Sequence, residues 1–442
     1  MLPRMVACPC RSGLRYKHCC GAAARGAGQA ALRHARRREA ALALQRQGAF
    51  SAAIDAYDAI LRDTPADWDV AHMRATCLYQ LGALVQAGAA FAALLATPAA
   101  NAPGYWTNLG LQLSATCSGR ASGPLLEKLD AYRQYRPIAG APAPRPSPAP
   151  LSEVSIVMPA YMHEHYVGQA IASVLAQTHA PLEMIVIDDG STDDTVRCCE
   201  AALRDAPFPV HLVARENRGA AATLNEGIAI ARGEFIQLLN SDDRLAPRRL
   251  ATMTAALLER DAEWGYSRVA MIDASGAALG PGADARAAAL LAAQDAALMS
   301  PTLGLALLRA NSTISSGNLM FRKRLWASVG GFRAYRYNHD WDFCLRAALL
   351  GEPVLASQAL YDYRIHGCNT ITEAGAAPHE EHLRVMADFV RHSLGASEWP
   401  NPYAPTLANW DGEFLALAGL TAAVRYLPRA VTERALTRWT GA

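Results

Sequence analysis

Lysine is nearly missing from this chain: of 42 basic residues among 442, only Lys17, Lys128 and Lys323 are lysine, and the rest are arginine. The 42 basic residues stand against 40 acidic ones, a net charge of +2. Neither sign is in excess, and the balance offers no patch for nucleic acid, which is not expected as a partner. Long apolar runs are also absent. The longest uncharged stretch, residues 75–119, is interrupted by Gln, Pro, Gly, Asn and Ser, whereas a membrane span needs about 20 predominantly apolar residues. The N-terminus has no apolar core of a signal peptide. Ten cysteines in a chain this long, four of them between positions 8 and 20, do not make a secreted disulfide scaffold. With 51% hydrophobic and 19% charged residues the composition is that of an ordinary globular protein, expected in the cytoplasm. The length suggests two to four domains.

The clustered cysteines stand in the run Cys8-Pro-Cys10-Arg-Ser-Gly, followed by His18-Cys19-Cys20-Gly. Two close thiolates, a turn and two further donors suit a closed tetrahedral zinc site. So short a segment buries no core, so Zn2+ would supply its folding free energy. The run resembles the SEC-C motif (residues 6–22), and the resemblance implies Cys8, Cys10, Cys19 and Cys20 as ligands, with His18 able to replace one of the last pair. In that family the module is an accessory that binds partners.

From residue 32 to 137 the chain repeats itself. Gly48 and Gly82 are 34 residues apart, and the same offset relates Ala53 to Ala87, Tyr57 to Phe91 and Ile60 to Leu94. This pattern resembles the tetratricopeptide (TPR) repeat, an all-α solenoid with a concave face for peptides. A third unit opens at Trp106-Thr-Asn-Leu-Gly110 and decays after Cys117. Residues 138–152 form a Pro/Ala linker, where alternating proline favours a semi-rigid extended spacer.

Beyond the linker, short β-branched runs alternate with helical stretches: Val154–Met158, Met184–Ile187, Val210–Val213 and Phe235–Leu239. Such alternation predicts an α/β domain with a mostly parallel sheet whose ligands sit beyond the strand C-termini. Those ends read Pro159-Ala160-Tyr161, Asp188-Asp189-Gly190-Ser191, Arg215-Glu-Asn217-Arg-Gly219 and Asn240-Ser241-Asp242-Asp243. Paired acids at a buried strand end repel one another unless a cation neutralises them, and a hard divalent ion bridging diphosphate oxygens would do so.

This set resembles glycosyltransferase family 2, with its GT-A, Rossmann-like fold, and residues 153–397 are assigned to that domain. The resemblance implies a donor site built from Pro159, Ala160, Tyr161, Asp188, Asp189, Gly190, Ser191, Asn217, Gly219, Asn225, Asn240 and Ser241. It implies Asp242, Asp243 and His366 as groups for Mg2+ or Mn2+, with Asn240 standing where the family has its first Asp and Asp242 as the direct ligand. Ser316-Gly317-Asn318 and Asn338-His339-Asp340-Trp-Asp342 resemble the acceptor side. There Asp340 aligns with the catalytic base of an inverting reaction, and Gly317, Asn318, His339 and Asp342 flank the acceptor; His339 stands where Glu is usual. Tyr363-Arg-Ile-His366 resembles the closing segment whose histidine reaches back to the metal.

Residues 398–442 lie outside the resemblance, and are expected as a helical tail. Phe414, Leu417, Leu420, Val424 and Leu427 share one helical face, with Arg425, Arg429, Arg434 and Arg438 beyond. The tail is expected to dock on the enzyme or to lie at an anionic inner-membrane surface. The whole reads as an inverting, metal-dependent enzyme taking a nucleotide diphosphate-sugar, a UDP-sugar first. Its acceptor is expected to be a protein held by the repeats, with a lipid-linked saccharide as the alternative. A non-catalytic adaptor with a degenerate transferase fold is the rival reading, opposed by intact Asp242, Asp340 and His366. A nucleotidyltransferase would carry a Gly-rich basic loop after the first strand, and Pro159-Ala-Tyr-Met-His is not one.

Overall fold

The computed structural model describes residues 20–117 apart from 103, and residues 153–440 apart from 281, 368 and 370–375. The chain divides into two compact units, one of residues 1–118 with 419–442 and one of residues 119–418. The zinc set lies outside the described residues: only the backbone of Cys20, the first residue of a helix, is described. The linker lies outside them too.

The first unit is helical. Helices α1 (Cys20–Arg46), α2 (Phe50–Asp63), α3 (Trp68–Gln80), α4 (Leu84–Leu94) and α5 (Tyr105–Cys117) each pack on the next. The 34-residue offset is structural. Gly48 and Gly82 both take positive φ, 76° and 81°, where a side chain would be strained. Past each glycine the chain closes in the same way, Ala49 N–H donating to Leu44 O and Ala83 N–H to Leu78 O, both at 3.0 Å. Ala53, Tyr57 and Ile60 are buried, as are Ala87, Phe91 and Leu94, so each aromatic fills the same gap one unit on.

The second unit holds an eight-stranded sheet. In chain order it comprises β1 (Val154–Ala160), α6 (Val167–Leu175), β2 (Glu183–Asp188), α7 (Thr195–Leu203), β3 (Val210–Ala214), α8 (Ala220–Ile230), β4 (Phe235–Leu238), β5 (Arg244–Leu245), α9 (Arg249–Glu259) and β6 (Trp264–Ile272). Then follow α10 (Ala285–Met299), α11 (Leu303–Ala306), β7 (Met320–Arg322), α12 (Lys323–Val329), α13 (His339–Leu350), β8 (Val354–Arg364) and α14 (Ala377–Ser393). The sheet order is β3-β2-β1-β4-β7-β6-β8-β5. The β3-β2-β1-β4 half is parallel, as the βα alternation predicts. The other half is mixed, since β7 runs antiparallel to both β4 and β6, and β5 runs antiparallel to β8. The expectation of a mostly parallel sheet therefore describes half the structure: β7 is three residues long and β5 two, too short to leave a period in the sequence. β1 and β2 are buried almost throughout because helices cover both faces. Gly227 lets α8 lie directly on them, as a Cβ there would fall 2.5 Å from Val157 Cγ1.

The C-terminal segment departs from the expected single tail. Residues up to 418 belong to the sheet unit, and 419–442 join the helical one, where α16 (Arg429–Thr440, following α15 at Leu407–Leu420) packs on α4 and α5. Val424, Leu427 and Leu436 are buried. Of the same expected apolar face Phe414 and Leu417 are buried as well, whereas Leu420 is 54% exposed. No described helix is long and apolar enough to cross a membrane.

Candidate active site

Register brings the strand ends to one edge: Ala160 sits opposite Asp188 and Asp188 opposite Ala214. Pro159 and Ala160 close β1, and Tyr161 follows, half exposed. Asp188 and Asp189 are both buried, and their carboxylates build the loops around them. Asp188 accepts from Gly190 N–H (3.2 Å) and Ser191 N–H (2.9 Å) and also bonds the Ser191 hydroxyl. Asp189 accepts from the N–H groups of Arg218 and Gly219, each at 2.8 Å, and pairs with the Arg215 guanidinium. Gly190, at φ 85°, lets Asn217 approach, because a Cβ would fall 2.9 Å from its backbone nitrogen. Gly219, also at φ 85°, caps the start of α8.

Asn225 does not face this edge. Its amide donates to Phe332 O at 2.8 Å and accepts from Phe332 N–H and Trp326 Nε1, each at 2.9 Å. The donor contact expected of it gives way to a brace on the Gly330–Phe332 turn. Asn240 is spent likewise, donating to Ser315 Oγ (2.8 Å) and accepting from Ser316 Oγ (3.0 Å). Gly317 permits that approach: a Cβ there would lie 2.7 Å from Asn240 N and would strike the Tyr361 hydroxyl.

Asp242 and Asp243, neighbours in sequence, point to different surroundings. Asp242 Oδ2 lies 3.0 Å from His366 Nε2 and 3.9 Å from His163 Nε2. These three groups could hold a metal ion, their ligand atoms lying within 4.8 Å of one another. Burial works to raise the Asp242 carboxyl, but the His366 hydrogen bond and the nearby imidazoles outweigh it and hold it below its ordinary value. Asp243 is buried against β8 instead. It accepts from the Tyr361 hydroxyl (2.7 Å) and the Arg364 N–H (2.8 Å), and burial and the charge of Asp242 raise it well above the usual carboxylate range. It is not among the clustered donors, contrary to the expectation that it shares the metal.

Asp340 opens α13, buried, with Oδ2 accepting from Asn311 Nδ2 at 3.1 Å and Oδ1 from the Trp341 N–H at 2.7 Å. Burial raises its carboxyl. Burial, and after it the charges of Asp243, Asp242 and Asp340, push the Tyr363 hydroxyl up. Beside Asp340, both ring nitrogens of His339 are buried without a hydrogen-bond partner among the described residues. Two other residues expected on the acceptor side are core groups. Asp342 is buried against Arg346 (Nε 3.0 Å), which in turn holds Val329 O and Gly331 O, so it braces the turn rather than meeting an acceptor. Asn318 is fully buried and donates to Ser267 O (2.9 Å) and Thr313 O (3.0 Å).

Asn318 also receives Arg249, which the sequence did not single out. This guanidinium is fully buried and donates only to neutral groups: Gln237 Oε1, Ser267 Oγ, Asn318 Oδ1 and Asn318 O, at 2.7–2.8 Å. It sits over the Tyr361 ring at 5.5 Å, knitting β4, β6 and the 316–318 turn into one floor. Arg249→Ala should lower stability by about 3 kcal/mol, since it strands several buried acceptors at once; urea unfolding checks this. His163 was also missed. Its one signal was a histidine just past the first strand, and nothing local pairs it with residues far along the chain.

Residues 155–274 match the family model described as Glycosyl transferase family 2, and residues 7–22 match the SEC-C motif. Over the first of these stretches the chain is similar to the family 2 glycosyltransferases. An uncharacterised glycosyltransferase of Nostoc sp. is 28% identical over 244 residues, covering 53% of this chain and 71% of that protein. Glycosyltransferase GlyG of Streptococcus pneumoniae is 34% identical over 111 residues, 25% of this chain and 36% of its own length. Chondroitin synthase of Escherichia coli is 37% identical over 116 residues, 26% of this chain and 16% of its own length. The last two are thus matched over well under two thirds of their length. Among solved structures, a mannosyltransferase from Pyrobaculum calidifontis in complex with GDP-Man and Mn2+ aligns with a TM-score of 0.46 at 18% identity, covering 74% of this chain and 89% of that one.

Proposed function

We propose that the sheet unit transfers a sugar from a nucleotide diphosphate-sugar, a UDP-sugar first, to an acceptor hydroxyl with inversion at the anomeric carbon. The observation that carries this reading is the meeting of Asp242 and His366 at the edge where the parallel strands end. Carboxylate and imidazole fit a divalent ion such as Mg2+ or Mn2+, which when bound would neutralise the departing diphosphate. Asp188 and Asp189 hold the loops against which base and ribose would rest, and Pro159 and Tyr161 would flank the base. Asp340 takes the acceptor proton as the hydroxyl attacks from the face opposite the leaving group. His339 offers unpaired ring nitrogens to acceptor hydroxyls. A panel of nucleotide sugars, with and without chelator, tests the donor, and NMR of the product's anomeric configuration tests inversion. Retention, or hydrolysis indifferent to chelator, would overturn the corresponding half.

The acceptor we propose is a protein presented by the TPR-like unit of a cytoplasmic enzyme. Tethering a bound chain beside a transferase raises its effective concentration to about millimolar for short linkers, an arrangement a free saccharide does not need. The match to chondroitin synthase favours a saccharide acceptor as the second reading. Because residues 419–442 belong with the repeats, a clean excision leaves residues 153–418. That fragment should keep donor hydrolysis and lose most transfer to its natural acceptor; undiminished transfer would mean the repeats do not select it. Cys8, Cys10, Cys19 and Cys20 should bind one Zn2+ per chain, whose loss leaves donor hydrolysis unchanged. Metal analysis of residues 1–25 finding less than about half an equivalent would refute the zinc site.

A further inference from the structure

We infer that His163 is a third protein ligand of the divalent ion, and that two imidazoles and one carboxylate make this site prefer a transition ion over Mg2+. The inference rests on Asp242 being the metal carboxylate. Two donors each ~2.1 Å from one ion lie ~3.0 Å apart at a right angle and ~4.2 Å apart when opposite. The Asp242 oxygen stands 3.0 Å from His366 Nε2 and 3.9 Å from His163 Nε2, both inside that span. An ion could therefore enter with little movement of the three side chains.

The surroundings hold His163 in place. Its Nδ1 lies 2.8 Å from Ser241 Oγ, and its backbone N–H donates to Thr195 Oγ1 at 2.8 Å. With Nδ1 engaged by Ser241, Nε2 is the nitrogen turned to Asp242, which is how a metal-ligating histidine is oriented from behind. Ser241 therefore acts as a positioning residue for His163. The His366 ring is set by Tyr166, 4.7 Å away between centroids. Imidazole nitrogen suits transition ions, whereas Mg2+ takes oxygen and water, and affinity in such a set rises from Mn2+ through Co2+ to Ni2+.

The test is direct metal binding by the full chain, read from loss of the free Mn2+ EPR signal. Mn2+ suits this measurement because cysteine thiolates favour softer ions, so the N-terminal cysteines do not compete. With the N-terminal cysteines first loaded with Zn2+, wild type should bind one Mn2+ that a hundredfold excess of Mg2+ leaves in place and that a small excess of Co2+ displaces. His163→Ala and the more conservative His163→Gln should each weaken Mn2+ about tenfold or more. His165→Ala, two residues on and exposed, should bind as wild type does. Thermal melts matching wild type establish that the variants are folded. Unchanged Mn2+ affinity in both folded His163 variants would overturn the ligand assignment, and ready displacement by Mg2+ would overturn the preference. Either result leaves chelator-sensitive donor hydrolysis, assayed separately, as it was. Loss of that hydrolysis in wild type would instead strike the transferase reading.

Discussion

Asp340→Asn should lower turnover by roughly 10²–10⁴ while donor binding stays near wild type, because the change deletes a base and little else. Asparagine keeps the shape, and its oxygen can still accept from the Trp341 N–H. The pH profile supplies a second readout. Burial raises the Asp340 carboxyl, and a base works only when deprotonated. The acidic limb of kcat/KM should therefore lie above the ordinary carboxylate range in wild type and vanish in the variant's residual activity. Stability should move the other way. A carboxyl whose folded pKa exceeds its unfolded one binds more protons when folded, so stability falls as pH rises between the two values. Wild type carries that penalty and Asp340→Asn does not; the variant loses the bond from Asn311 Nδ2 at every pH, so its melting temperature relative to wild type should rise with pH across that window. Wild-type turnover in the variant would remove Asp340 from the mechanism.

Asp242→Ala should abolish metal-dependent binding of the nucleoside diphosphate, a loss of about a hundredfold or more in calorimetry with metal present and little change without it. The basis is geometric: this carboxylate lies between two imidazole nitrogens. Asp243→Asn provides the contrast. Its carboxylate is spent on the Tyr361 hydroxyl and the Arg364 N–H, so the variant should lose stability, about 1–3 kcal/mol, and keep metal affinity. Equal nucleotide affinity with and without metal in wild type would remove the metal from the donor site. Equal damage to metal binding from both substitutions would mean that the two acids act together.

Parts of the molecule whose physics is local are legible in the unfolded chain. A strand buried on both faces must be apolar along its length, so β1, β2 and β4 are legible, and with them the loops that end them. Turns that demand positive φ accept glycine, so Gly48 and Gly82 mark a repeat that the aromatic positions Tyr57 and Phe91 repeat in register. The acids at the strand ends follow from the same reading. Which of them meet depends on long-range strand pairing. Successive residues leave a chain in different directions, and pairing of β5 with β8 buries Asp243 while Asp242 stays at the edge with His366. His163, Asp242 and His366 come from three separate loops, and no local pattern records their meeting. Asn225, Asn318 and Asp342 look like site residues in sequence because buried polar side chains and functional ones are the same amino acids. Their partners, Phe332, Ser267 with Arg249, and Arg346, make them braces. The last helix joins the repeat unit for a similar reason: an amphipathic face states that it must be covered, not by what.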